Sequence, residues 1–170
     1  LSYSEILSAV LIEEKLQQAG LDVTLVQPEE IGLQVTADYG NATCISLSHP
    51  ELFTPGTTFV VPGSYGITAS GKVARTGKNA ADYTAAFLAE RLNASRLVLW
   101  NLSDGFASAN PMIIPEAGIL NRLTYAEASE LAYSEHCTLH PRAVEPLLKR
   151  HIPIHIIRWN SENFKPETII

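Results

Sequence analysis

The chain has 170 residues, 46% of them apolar and 18% charged, which suits one soluble globular domain with a buried core and argues against disorder. Its formal charge of -6 is spread over mixed acidic and basic positions, so no cationic stripe exists to neutralise a phosphate backbone or an anionic membrane. Nucleic acid and membrane are therefore set aside as main partners.

No apolar run approaches the roughly 20 residues that span a bilayer, and no basic-then-apolar leader precedes the first helix, so a cytoplasmic address is expected. The chain starts at Leu1 rather than Met, which is read as an upstream part removed or not shown. Cys44 and Cys137 are the only cysteines, too few for a disulfide framework or a zinc knuckle, and each is expected to be structural. The Asn-x-Ser/Thr tripeptides at Asn41, Asn93 and Asn101 carry no meaning without a secretory signal.

In chain order, Ser2 to Ala19 carries apolar residues at Ile6, Leu7, Val10, Leu11 and Leu16 and ends at Gly20, the pattern of an amphipathic helix with a glycine C-cap. Asp22 to Gln27 alternates as a strand does, and Pro28 to His49 is expected to form loops and a short strand pair. Thr57 to Val61 is β-branched and aromatic and predicts a buried strand ending at Pro62-Gly63. Gly63 to Asn79, with four glycines and Lys72, Arg75 and Lys78, is read as one long loop, functional or mobile.

An alanine-rich helix follows over Ala80 to Ala94, then a strand over Arg96 to Trp100. Asn101 to Pro115 is loop. Thr124 and Glu127 have the spacing of a capping box and open a helix to about Ser134. Pro141 is expected to start a helix through Arg150, and Ile152 to Trp159 is the last strand. This alternation predicts an α/β fold, a three-layer α/β/α sandwich with a largely parallel sheet and ligands at the carboxyl ends of its strands, in a single domain over residues 1–170.

Several motifs fail on spacing. Gly71 to Lys78 approaches a phosphate-binding P-loop, but five residues separate its glycines and Asn79 replaces the metal-binding hydroxyl. Ser64, in Gly-Ser-Tyr-Gly, lacks the spacing of a nucleophile elbow. None of the five histidines has the spacing of a helical metal site, so no metal centre is expected. His140, before Pro141, is read as an orienting acceptor at a helix start, and His155 as a sheet-face residue.

The segment from Gly63 to Thr84 resembles the aspartate kinase signature of the amino-acid kinase family without a gap: a Gly-Phe-x-Gly turn leading to Gly-Arg-Gly-Gly-Ser-Asp-Tyr-Thr, here Gly77-Lys78-Asn79-Ala80-Ala81-Asp82-Tyr83-Thr84. The resemblance continues through Leu92-Asn93-Ala94, Leu97 to Trp100, Asp104-Gly105, Asn110-Pro111, Tyr125 to Ala128 and Leu139-His140-Pro141-Arg142. It begins at Ser2-Tyr3-Ser4-Glu5 with Leu7-Ser8-Ala9 and ends at Thr168-Ile169-Ile170, covering nearly the whole chain. It implies the amino-acid kinase (carbamate-kinase-like) fold, in part, and ATP-dependent phosphorylation of L-aspartate to 4-phospho-L-aspartate, the entry to lysine, threonine and methionine synthesis. ATP and Mg2+ are the implied cofactors, and a homo-oligomer is the implied assembly.

Phosphoryl transfer needs positioned cations around the migrating group, so the cationic positions decide whether the activity survives. By resemblance, Glu5, Lys78 and Asp82 form the aspartate pocket, with lysine standing where an arginine would grip a carboxylate in two-pronged fashion and Ala81 where a hydroxyl stood. The nucleotide side is more altered. Asn101-Leu102 replaces a Thr-Asp pair, Ala107 a tyrosine near the base, Met112 an arginine, and Cys137 a lysine. The family's opening Lys-Phe-Gly-Gly-Ser/Thr loop and its following ACT domains have no counterpart here.

The catalytic residues are thus left unassigned. Replacements cluster on the nucleotide side while Gly63, Gly66, Asp82 and Pro141 remain, which favours a degenerate domain, impaired in transfer, that binds an amino acid or a partner. The alternatives are part of an active aspartate kinase whose missing segment supplies the phosphate loop, and an oligomerisation or regulatory module.

Overall fold

A computed structural model of the chain describes residues 3–101, 105–110, 112–133, 139–160 and 164–170. Leu102 and Cys137, two of the altered nucleotide positions, lie outside them, as does the expected helix end near Ser134. The chain divides into two compact units, residues 1–92 and 93–170.

In the first unit, helix α1 (Tyr3–Gln18) opens the chain. Its end is set by Gly20 at φ 84°, where the Leu21 N–H reaches back to the Leu16 carbonyl and the Gly20 N–H to that of Gln17, a Schellman closure. Glu13 ties the helix to the first strand by accepting from the Leu25 N–H at 2.9 Å. The apolar stripe of α1 is only partly covered. Ala9 is buried, whereas Leu7, Val10 and Leu11 are exposed.

Strand β1 (Val23–Leu25) and the later β4 (Thr58–Val60) pair in parallel. The expectation of a buried strand at 57–61 is corrected: Thr58 is exposed and Phe59 and Val60 are half-buried, and among the described residues β4 pairs with β1 alone. Between them β2 (Leu33–Val35) and β3 (Cys44–Leu47) form the expected antiparallel pair, with a bulge between Gln34 and Val35.

Residues 63–79 are not one loop. They fold as an antiparallel hairpin of β5 (Tyr65–Ile67) and β6 (Val73–Arg75), completing a sheet in the order β3-β2-β5-β6. The hairpin turn closes through Thr68 N–H to the Lys72 carbonyl and Gly71 N–H to the Thr68 carbonyl. Its close approach to β2 depends on Gly66. A Cβ there would lie 2.6 Å from Val35 Cγ1 and 2.8 Å from the Leu33 carbonyl oxygen.

Helix α2 (Ala81–Arg91) packs Tyr83 and Phe87 against Ile31, Leu33, Val35 and Cys44, the core of this unit. Each such large side chain taken from water contributes about 1.5–3 kcal/mol. Cys44 is buried there, as a structural thiol should be.

In the second unit β7 (Leu97–Asn101) runs parallel to β8 (Ile154–Arg158), and β9 (Thr168–Ile169) adds antiparallel to β8. Helix α3 (Tyr125–Ala132) begins with the expected capping box: Thr124 accepts from the Glu127 N–H and the Glu127 carboxylate from the Thr124 N–H. The helix expected from Pro141 to Arg150 is interrupted instead. A 3-10 turn over Pro141–Ala143 leads into the one-turn α4 (Glu145–Leu148), with Pro146, which has no N–H to give, near its start. His140 accepts from the Arg142 N–H at 3.2 Å, the orienting role read for it. His155 is half-buried in the sheet, opposite Val98 and Ile169.

Candidate functional site

The retained turn at Gly63 and the start of α2 are built around each other. Ser64 N–H donates to Thr84 Oγ1 at 3.1 Å, and that hydroxyl donates to the Ala80 carbonyl at 3.2 Å. A Cβ on Gly63 would stand 3.1 Å from both Cα and Cβ of Ala81, so glycine permits the close approach. Ser64 is 1% exposed with φ at 64°, a left-handed conformation uncommon outside glycine, and its hydroxyl has no partner among the described residues.

Against this turn lies a cavity of about 490 Å3 between α1, β4 and α2. Glu5 lines it together with Gly63, Ala81 and Thr84, and its apolar side is formed by Phe59 and Leu88. Glu5 is half-buried in the first turn of α1. Asp82, half-buried in the first turn of α2, sits where the helix dipole favours a carboxylate, and Lys78 is exposed in the loop before that helix. Neither lines the cavity, so of the three residues read as an aspartate pocket only Glu5 faces this space, and Ala81, beside Asp82, borders it.

Of the positions read as altered nucleotide contacts, the described ones, Asn101, Ala107 and Met112, fall in the second unit. Asn101 ends β7, and its carbonyl accepts from the Trp159 N–H at 2.7 Å. Ala107 forms an isolated antiparallel bridge with Ile119. Met112 is 90% exposed, and its N–H is held by the Asn110 side chain at 2.9 Å. These three side chains carry no positive charge for a triphosphate. Among the described residues no group of three or more His, Cys, Asp or Glu could hold a metal ion, and no helix is long and apolar enough to cross a membrane.

Sequence reasoning missed the aromatic cluster at the carboxyl ends of β7 and β8, where Trp100 meets Trp159 and Phe164 edge-on at centroid distances of 6.0 and 5.6 Å. It also missed Tyr65, whose hydroxyl donates to Gln27 Oε1 at 3.0 Å. Burial, and then the nearby carboxylates of Glu29 and Glu5, push its phenol up to about 12. The Gly-Ser-Tyr-Gly motif marked a turn but carried no sign of which side chain would be enclosed.

Residues 1–158 match the model of the amino acid kinase family. Among curated proteins the chain is 30% identical over 166 residues to the bifunctional aspartokinase/homoserine dehydrogenase of Buchnera aphidicola, covering 95% of this chain and 20% of that protein. To aspartokinase 3 of Bacillus subtilis it is 26% identical, covering 96% of this chain and 37% of that protein. The chain thus spans well under half the length of these curated relatives. Among solved structures, E. coli aspartokinase III in complex with aspartate and ADP superposes with a TM-score of 0.88 at 24% identity, over 97% of this chain and 38% of that one, a likeness of fold. The α/β architecture described above is accordingly part of an amino-acid kinase fold, and the chain belongs to the amino acid kinase family, in which it resembles the aspartate kinases.

Proposed function

We propose that the chain is the amino-acid-holding part of an aspartate-kinase-type domain, impaired in phosphoryl transfer as it stands. The supporting observation is Glu5 on a cavity bordered by the Gly63 turn and the first turn of α2, combined with uncharged residues at Asn101, Ala107 and Met112. By the resemblance Glu5 and Asp82 would receive the ammonium group of L-aspartate and Lys78 a carboxylate, of which Glu5 alone lines this cavity. With two carboxylates and one monodentate cation the pocket binds weakly. By the same resemblance Met112 and Cys137 stand where an arginine and a lysine would be, and each lost cationic phosphate partner typically removes a few kcal/mol of charge stabilisation.

On this reading the two compact units belong to one domain of a cytoplasmic protein, and ATP with Mg2+ is bound poorly. Calorimetry with L-aspartate tests the pocket: heat lost in Glu5→Gln supports it, and no heat at millimolar ligand from folded protein removes it. Thermal unfolding with Mg-ATP tests the nucleotide side. A midpoint raised by several degrees counts against impairment, because any ligand of the native state must raise apparent stability.

A second reading is favoured by the short span of the chain against its relatives, 20% and 37% of their lengths. A longer protein containing this segment would supply the phosphate loop and cations, and would phosphorylate aspartate on the way to lysine, threonine and methionine. Aspartate-dependent ATP turnover by the full-length product distinguishes the two. A third role, self-association, is supported by exposed Leu7, Val10 and Leu11 on α1, and sedimentation of the purified chain tests it.

A further inference from the structure

A second cavity of the first unit, about 580 Å3, falls outside the pocket proposed above. Its volume is in the range that holds small molecules. Three tyrosines, Tyr3, Tyr39 and Tyr65, with Ile6 and Val73, supply an aromatic and aliphatic wall. Only two charged side chains line it, Glu29 and Arg75, of opposite sign. The Arg75 side chain makes no hydrogen bond or ion pair among the described residues, so its guanidinium is available to a ligand.

The folding of residues 63–79 as a hairpin creates this space. It brings Tyr65 from β5 and Val73 and Arg75 from β6 opposite the first turn of α1, with the Tyr39-Gly40 turn between β2 and β3 closing one side. Tyr65 is 1% exposed, and its hydroxyl is held by Gln27, which fixes the ring as a rigid wall.

The charges select the ligand. A phosphorylated compound would meet Glu29 as well as Arg75, and a simple amine would leave the guanidinium unanswered. L-Aspartate brings a second carboxylate for which the lining holds no second cation. An ammonium for Glu29, a single carboxylate for Arg75 and an apolar body for the tyrosines satisfy every surface at once. We propose that this cavity binds a zwitterionic amino acid with an apolar side chain, independently of the aspartate pocket.

The test is calorimetry on the folded chain with L-leucine and L-phenylalanine, beside two analogues that each lack one charge, 3-methylbutylamine and 4-methylpentanoate. The expected result is binding of the amino acids and about tenfold or greater weakening for each analogue, the size of one lost charge-assisted contact. Arg75→Gln should weaken L-leucine by a similar factor and leave any L-aspartate binding unchanged, while Lys78→Gln, at a residue that lines neither cavity, should leave L-leucine binding unchanged. Val73→Trp, which fills the cavity from a half-exposed position, should abolish L-leucine binding with the circular dichroism spectrum intact. Absence of heat at millimolar amino acid from folded protein overturns the proposal, as does equal binding of L-leucine and its analogues. If L-aspartate alone binds, this inference fails and the aspartate reading stands. If L-leucine alone binds, the converse holds.

Discussion

The Tyr83 hydroxyl accepts a hydrogen bond from the Cys44 backbone N–H at 3.0 Å, joining α2 to β3 across 39 residues of chain. Both residues are buried, so water cannot replace the contact. Tyr83→Phe keeps the ring in the core and deletes the acceptor, at a cost of about 1–3 kcal/mol for the stranded donor. Urea unfolding should show a lower midpoint at unchanged slope. An unaltered midpoint would mean that this bond adds nothing to the packing and the Arg91 bond to the Ile45 carbonyl, which also join helix and sheet.

Gly66→Ala should be at least as damaging as Gly63→Ala. The new methyl at 66 meets a backbone oxygen at 2.8 Å and Val35 at 2.6 Å, whereas at 63 its nearest neighbours stand at 3.1 Å. Overpacking of this kind costs about 1–3 kcal/mol. The order of the two denaturation midpoints checks the expectation.

Tyr65 gives the alkaline stability profile a definite sign. Its phenol is raised from 10.0 to about 12, chiefly by burial and then by Glu29 and Glu5, so between those values the unfolded chain holds fewer protons than the folded one. Stability from this group is complete below pH 10.0, falls as pH rises toward 12, and then levels. Tyr65→Phe should flatten that fall, measured by urea unfolding at a series of pH values, although it also removes the bond to Gln27.

His140 acts on the acid side. Burial first, and Arg142 second, lower its pKa below 6.5, and protonation would take away the Nδ1 acceptor used by the Arg142 N–H. Stability from this group is present above pH 6.5 and is lost as pH falls through the lowered value. His140→Asn offers an uncharged acceptor at the same turn and should remove this component of the acid decline. Its absence from an NMR titration series near 6.5, with wild-type His140 titrating lower, would complete the check.

Lys78→Arg together with Ala81→Ser should strengthen L-aspartate binding, by about tenfold if the guanidinium regains a two-pronged grip. Calorimetry of the double variant reads this directly. A variant that binds no better than the parent would mean that Lys78, exposed in the loop before α2, does not face the ligand.

Local signals carried two helix ends. The Gly20 stop and the Thr124–Glu127 box are each written within a few residues, and each was found where expected, whereas His140 takes its orienting role at a 3-10 turn and not at the long helix expected from Pro141. The hairpin at 65–75 was not legible, because strands of three residues are too short to show alternation, and their pairing depends on β2, about thirty residues away. The same holds for β9, which has only two residues and exists by pairing with β8.

By itself the sequence determined the family, through one gapless signature and several motifs spread along the chain, and it showed methionine at position 112, where the resemblance expects an arginine, since residue identity needs no folding. The tertiary structure decided which groups share a space. It set Glu5 against Gly63 and Ala81 without Lys78 or Asp82, and enclosed Tyr65 beside Glu29 and Arg75. The reason is physical: a cavity is made by side chains from elements distant in sequence, and its lining depends on how far each backbone can approach the next, as at Gly63 and Gly66.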